Sequence, residues 1–328
     1  MIHYALLLQE EEHVTLGKMA LEYAGFLSYF AVYGALGFHF QVLKSLRSES
    51  AVNVAGSPVD RADRRAGAIG SVGALLMVLT TVVGLSEHAA EKGISIIDAA
   101  NAGGGRQIFQ IGCIAVFLIS FALAAQRMRV AWTIAGITAI AFVLRNITTS
   151  RWFSMVNPLH EVAASLWLGT LTVLVVAGLT AVLRDAISRE DRGRFVAEMI
   201  SRFSPLALSA AALLGITGVT TAWRHLKHLN SLWTTPYGYA LDAKLCVVAI
   251  VVMLGAWNWR RMAPRLGNEE SAINIRRSAT AELSVAAIVL AITSLLVSLP
   301  SPGPPGSGGP PGAGGPPRAG GLPPGVMK

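Results

Sequence analysis

Five stretches of the chain lack any Asp, Glu, Lys or Arg: 23–43, 66–86, 107–126, 162–183 and 203–223, each 20 to 22 residues long. A helix rises ~1.5 Å per residue, so each window reaches across a hydrocarbon core of ~30 Å. Three further apolar segments carry charge at or near an edge: 130–144 beside Arg145, 238–259 with Asp242 and Lys244 near one end, and 283–299. The pattern predicts an all-α polytopic membrane helix bundle of about eight transmembrane helices. Residues 1–20 then form an external N-terminal segment, 21–147 a four-helix membrane half, and 155–300 a second four-helix membrane half. Residues 301–328 hold 10 Gly and 9 Pro without a Gly-x-y register, which predicts a disordered external tail.

Composition narrows this further. With 53% hydrophobic and 14% charged residues and a mean hydropathy of +0.53, the chain is too apolar for one water-soluble core. Cys113 and Cys246, the two cysteines, lie in apolar segments, which excludes a disulfide scaffold. The net charge of +8 follows from topology, because the Lys and Arg residues alternate by loop. The loops after spans one, three, five and seven hold 17 of them and the opposite segments 8, with Arg145 and Lys244 inside spans. The positive-inside rule therefore places both termini outside. The partner these charges imply is the lipid bilayer, not nucleic acid. The start, MIHYALLLQEEEH, has no basic n-region and no cleavage site, so span one is expected to insert uncleaved.

The motifs for energy coupling are missing. No GxxxxGK[ST] loop and no Asp-Lys-Thr-Gly site occurs, and His160-Glu161 fails the HExxH pattern because position 164 is Ala164. Asn146-Ile147-Thr148 is a formal glycosylation sequon at a span boundary, to which no function is given.

Six of the seven histidines fall on the outer side under this topology: His3, His13, His88, His160, His225 and His228, leaving His39 at the inner end of span one. His160 is the leading candidate. Asn157 and Pro158 form a helix start signal, which puts His160 in the first turn of span five, where the helix N-terminus favours the neutral, metal-ligating imidazole. Glu161 beside it would offset the charge of an arriving cation, Met155 supplies a thioether in the preceding loop, and Ala164 and Trp167 continue the His160 face. The bland alternative is a hydrogen-bonded packing histidine. His225 and His228, spaced i, i+3, share a helix side and would chelate one ion; Arg224 and Lys227 repel cations, and with Trp223 and Trp233 they favour reading the stretch as an interfacial anchor.

In span seven, Tyr239, Asp242, Cys246 and Met253 share one helical face, a carboxylate, thiol and thioether series suited to Cu(I). Cys and Met are also ordinary membrane packing residues. Lys244 on the same helix must snorkel outward or find a carboxylate on another span.

The runs His160–Gly169 (HEVAASLWLG), Arg202–Ala207 (RFSPLA), Thr235–Gly238 (TPYG) followed by Lys244-Leu245, and Leu295–Pro300 (LLVSLP) resemble the copper resistance D (CopD) family over about residues 155–300. The resemblance implies an inner-membrane copper-handling protein, often linked to copper uptake from the periplasm, and its matching residues are His160, Trp167, Tyr237, Gly238 and Lys244. Two departures stand out: Thr170 occupies the place of a second glycine, and no copper-binding CopC-like domain is fused. Two functions fit. One is a transporter, not an enzyme, that takes copper, as Cu(I), from a separate periplasmic copper-binding protein and passes it along a seam among spans five to eight. The other is a noncovalent b-type haem protein with electron-transfer or oxidoreductase activity, with His88 and His160 as axial pair.

Overall fold

The computed structural model describes residues 2–44, 46, 57–148, 155–184, 188–226, 236–262, 280–281 and 283–294, with the side chains of residues 2–15 and of several helix-end positions outside the description. Every regular element among the described residues is helical. In chain order they are α1 (Ile2–Gly37, continuing into a π-helical turn, Phe38–Leu43), α2 (Pro58–Lys92), α3 (Ile96–Ala102), α4 (Gly104–Ala125) and α5 (Arg129–Thr148). Then follow α6 (Val156–Leu183), α7 (Arg189–Leu226), α8 (Pro236–Met262) and α9 (Leu283–Ser294).

Six of these are long and apolar enough to cross a membrane: Leu16–Leu43, Pro58–Lys92, Gly104–Ala125, Arg129–Ile147, Val156–Leu183 and Glu190–Ala222. They coincide with the first six expected spans. α8 and α9 occupy the places of the seventh and eighth; α9 is described only to Ser294, and residues 295–299, like the Pro/Gly-rich tail 301–328, lie outside the described residues. α1 is helical from Ile2 onward, so the expected N-terminal segment continues into span one as one helix.

Local chemistry sets the helix ends. α2 starts where Ser57 accepts the Asp60 backbone N–H through its hydroxyl, with Pro58 in the first turn, and stops at Gly93, whose φ of 64° suits the left-handed cap. The tight turn between α4 and α5 places Arg127 at φ 72°, and the Arg127 guanidinium pairs with Asp60 at 3.1 Å.

α1 and α6 form the centre, with α2, α4, α5 and α7 around them. Val32, Phe38, Leu43, Phe117, Phe121, Trp132, Leu174, Leu179 and Met199 are fully buried there. In lipid there is little hydrophobic drive between helices, so close approach supplies the packing. Gly67 and Gly70 of α2 lie against Ala125 and Phe121 of α4, and Gly73 lies against Ala31 of α1. α6 departs from α-helical winding twice, in π-helical turns at Ser165–Gly169 and Leu174–Leu179. Such turns concentrate at functional sites.

Candidate functional site

α6 begins at Val156, preceded by Met155, and Asn157 does not cap it. That corrects the expected start signal: Asn157 is already inside the first turn, and its side-chain oxygen receives the Thr221 hydroxyl of α7 at 3.4 Å. The anchoring to α7 decides what His160 does one turn later. His160 Nδ1 lies 2.9 Å from the Thr217 hydroxyl oxygen. Thr217 is buried in α7 and gives its single hydroxyl proton to the Leu213 carbonyl at 2.7 Å. With its proton so placed it accepts from His160, which matches the tautomer that carries its proton on Nδ1. The Nε2 lone pair is left for a ligand. Gly218, beside Thr217, leaves the space for the ring, whose Cε1 would lie 3.5 Å from a Cβ there.

Glu161 turns the other way. It lines a cavity of about 240 Å³ with Tyr29 and Tyr33 of α1, Arg106 and Gln110 of α4 and Asn146 of α5. The Tyr33 hydroxyl is buried there without a hydrogen-bond partner among the described residues, and Glu22 of α1 is within electrostatic reach of the Glu161 carboxylate. The neighbouring residues His160 and Glu161 thus serve two different helix interfaces.

A larger cavity of about 570 Å³ adjoins this one through the shared walls Tyr29, Gln110 and Phe142. His88 lines it one turn before Lys92, together with Gln107 at the start of α4. His88 and His160 face different surroundings, the first this cavity and the second Thr217. Among the described residues no three His, Cys, Asp or Glu side chains gather into a ready-made metal cluster.

The remaining candidates divide. Met155 is half-buried at the head of α6 and Trp167 half-buried in its first π-helical turn, packed against the core. On α8 the face shared by Tyr239, Cys246 and Met253 is exposed, with Asp242 intermediate. Lys244 lies off that face, half-buried, with its ammonium within electrostatic reach of the His160 ring. His225 falls in the last turn of α7 with its side chain outside the description, and His228 lies outside the described residues, as does the side chain of Tyr237.

Thr217, Gly218 and Tyr33 are the contributors that sequence reasoning missed. A membrane Thr that bonds its own i−4 carbonyl leaves no trace in a hydropathy pattern. The usable signal was the Gly-Ile-Thr-Gly run at 215–218, small residues that admit a neighbouring side chain.

Residues 197–296 match the family model described as Copper resistance protein D. The chain is also 29% identical over 147 residues to the copper transport protein CutJ of Bacillus subtilis (strain 168), an alignment that covers 45% of this chain and 25% of that protein. The chain therefore spans about a quarter of that relative's length. No solved structure is a significant match. The matched segment is narrower than the 155–300 resemblance read from the motifs: His160, Glu161 and Trp167 precede it, whereas Thr217 and Lys244 lie within it. The segment from residue 197 of α7 through α9 is thus the part that matches copper resistance protein D, and His160 is tied to it by the hydrogen bond to Thr217.

Proposed function

We propose that this chain transports copper across a bacterial inner membrane, taking Cu(I) up at the outer end of α6 with His160 Nε2 as the first protein ligand. The observation that carries the reading is the His160–Thr217 hydrogen bond, which engages Nδ1 and so turns Nε2, the lone-pair nitrogen of the matching neutral tautomer, away from Thr217, in the form that binds a soft or borderline metal ion. The matched copper resistance protein D segment and the relative named a copper transport protein support copper as the cargo. The alternation of Lys and Arg along the loops supports a topology of eight spans with both termini outside, which puts His160 on the outer side. Met155 adds a thioether donor at the same level, and a separate periplasmic copper-binding protein delivers the ion.

The role is transport rather than catalysis. An imidazole held by a neighbouring helix at a span's end is suited to accepting and releasing an ion, since conduction requires binding that is favourable but reversible. The test is copper accumulation by cells producing the wild-type chain, His160→Ala or His13→Ala, normalised to protein in the membrane. Loss with His160→Ala and retention with His13→Ala is expected. Equal accumulation by all three at equal expression removes His160 from the path.

A further inference from the structure

The first half of the chain holds another oriented imidazole. His39 sits in the π-helical turn that ends the first span and is only 7% exposed. Its Nδ1 lies 2.7 Å from Oδ1 of Asp63 on α2, itself 5% exposed. An ionised carboxylate only accepts, so Nδ1 donates to it, and in the neutral imidazole Nε2 then carries the lone pair. The ring is stacked on Trp132 of α5, with centroids 4.2 Å apart and planes 9° from parallel, and meets Phe40 edge-on. Carboxylate, indole and π-helical backbone together fix its orientation. A carboxylate that receives the second ring nitrogen is the usual outer support of a metal-ligating histidine.

Its level in the bundle follows from helix contacts. α1 and α6 run side by side in the same direction, since Gly34 meets Gly169, Gly37 meets Thr170, and Phe38 meets Gly178. The Gly34–Gly169 backbone contact sets the register, so His39, five residues on, is level with about residue 174, some 14 residues along α6 from His160. At the helical rise that is about 21 Å, roughly two-thirds of the ~30 Å of a hydrocarbon core. The same two helices carry one oriented imidazole near each end. Met199 of α7 brings its sulfur to within 3.2 Å of a Cβ built on Gly178, beside the ring of Phe38, the residue before His39. A purely structural pin between α1 and α2 gains little from burying an acid and a base, because apolar side chains of similar volume hold such a contact as well or better.

We propose that His39, oriented by Asp63, is a second soft-cation site at the end of the bundle opposite His160, taking Cu(I) through Nε2. The identity of the cation rests on the reading of His160 as a copper ligand; the site itself rests on the His39, Asp63 and Trp132 geometry. One imidazole makes a weak site, which suits an ion about to leave.

The whole chain in detergent is titrated with Ag(I), a redox-stable probe for Cu(I), and paired variants are compared so that binding to methionine and cysteine cancels. Wild type is expected to bind one more equivalent than His39→Gln and one more than His160→Ala. The tryptophan emission change that accompanies the His39 equivalent disappears in Trp132→Phe. Asp63→Asn, which keeps His39 and the shape of its neighbour, weakens that equivalent by ~10-fold or more. If His39→Gln and Asp63→Asn titrate as wild type while His160→Ala loses an equivalent, the second site is overturned and the transport reading stands. The converse loss, in the His39 and Asp63 variants alone, supports the second site and removes His160. Wild type that binds no more than the two variants overturns both.

Discussion

Gly34 of α1 and Gly169 of α6 bring two membrane helices into backbone contact: a Cβ on Gly169 would fall on the Phe30 carbonyl oxygen and 3.1 Å from Gly34 Cα. Gly169 also closes the π-helical turn that contains Trp167. The crossing joins the N-terminal half to the first helix of the second half. It also fixes His39 and His160 on one helix pair.

Overpacking at this crossing has no flexible side chain to absorb it. Gly169→Ala is expected to destabilise the bundle by ~1–3 kcal/mol, the range for forcing an added methyl group into a packed interior. Thermal denaturation in detergent measures it. Gly215→Ala, where a Cβ meets nothing within 4 Å among the described residues, is the control and is expected to be neutral or slightly stabilising.

Thr217 orients His160, so its loss should reach copper through the imidazole. Thr217→Val removes the acceptor at nearly constant shape and is expected to lower Cu(I) affinity ~10–100-fold, whereas Thr217→Ser restores most of it. Competition with a Cu(I) chelator reads the affinity. Nitrogen NMR of labelled His160 reads the tautomer, which shifts from Nδ1–H only in the valine variant.

The loop charges predict sidedness. Reporter fusions after residue 55 and after residue 300 are expected to report inside and outside, respectively. The same side for both would change the span count by an odd number.

An optical spectrum and metal analysis of the purified protein separate copper from haem. Copper without a Soret band is expected, because His88 and His160 line different spaces rather than facing one another. A Soret band lost on His160→Ala would instead assign that ring to haem.

The membrane windows were legible because insertion demands long apolar runs, and that demand is written in one dimension. Their ends were less so. α2 runs from Pro58 to Lys92, past both limits of the window 66–86, because helices continue through the polar interface where charge is tolerated. His160 was legible as a polar residue at the head of a span. Its partner was not, since a linear pattern does not say that α6 lies on α7. The same gap explains Asn157, which reads as a cap in isolation but is drawn to Thr221 of the neighbouring helix. Glu161 shows it again: adjacency in sequence suggested a shared site with His160, yet at about 100° per residue the two side chains point to different interfaces.

The proposed copper path through this chain runs by way of His160. The most direct measurement is Cu(I) flux into vesicles reconstituted with the whole purified chain and containing a trapped Cu(I) chelator, comparing wild type with His160→Ala at equal incorporated protein. Flux well above protein-free vesicles is expected for wild type, with a fall to near that background for the variant. Equal flux through both proteins, or none through wild type above protein-free vesicles, would contradict that path.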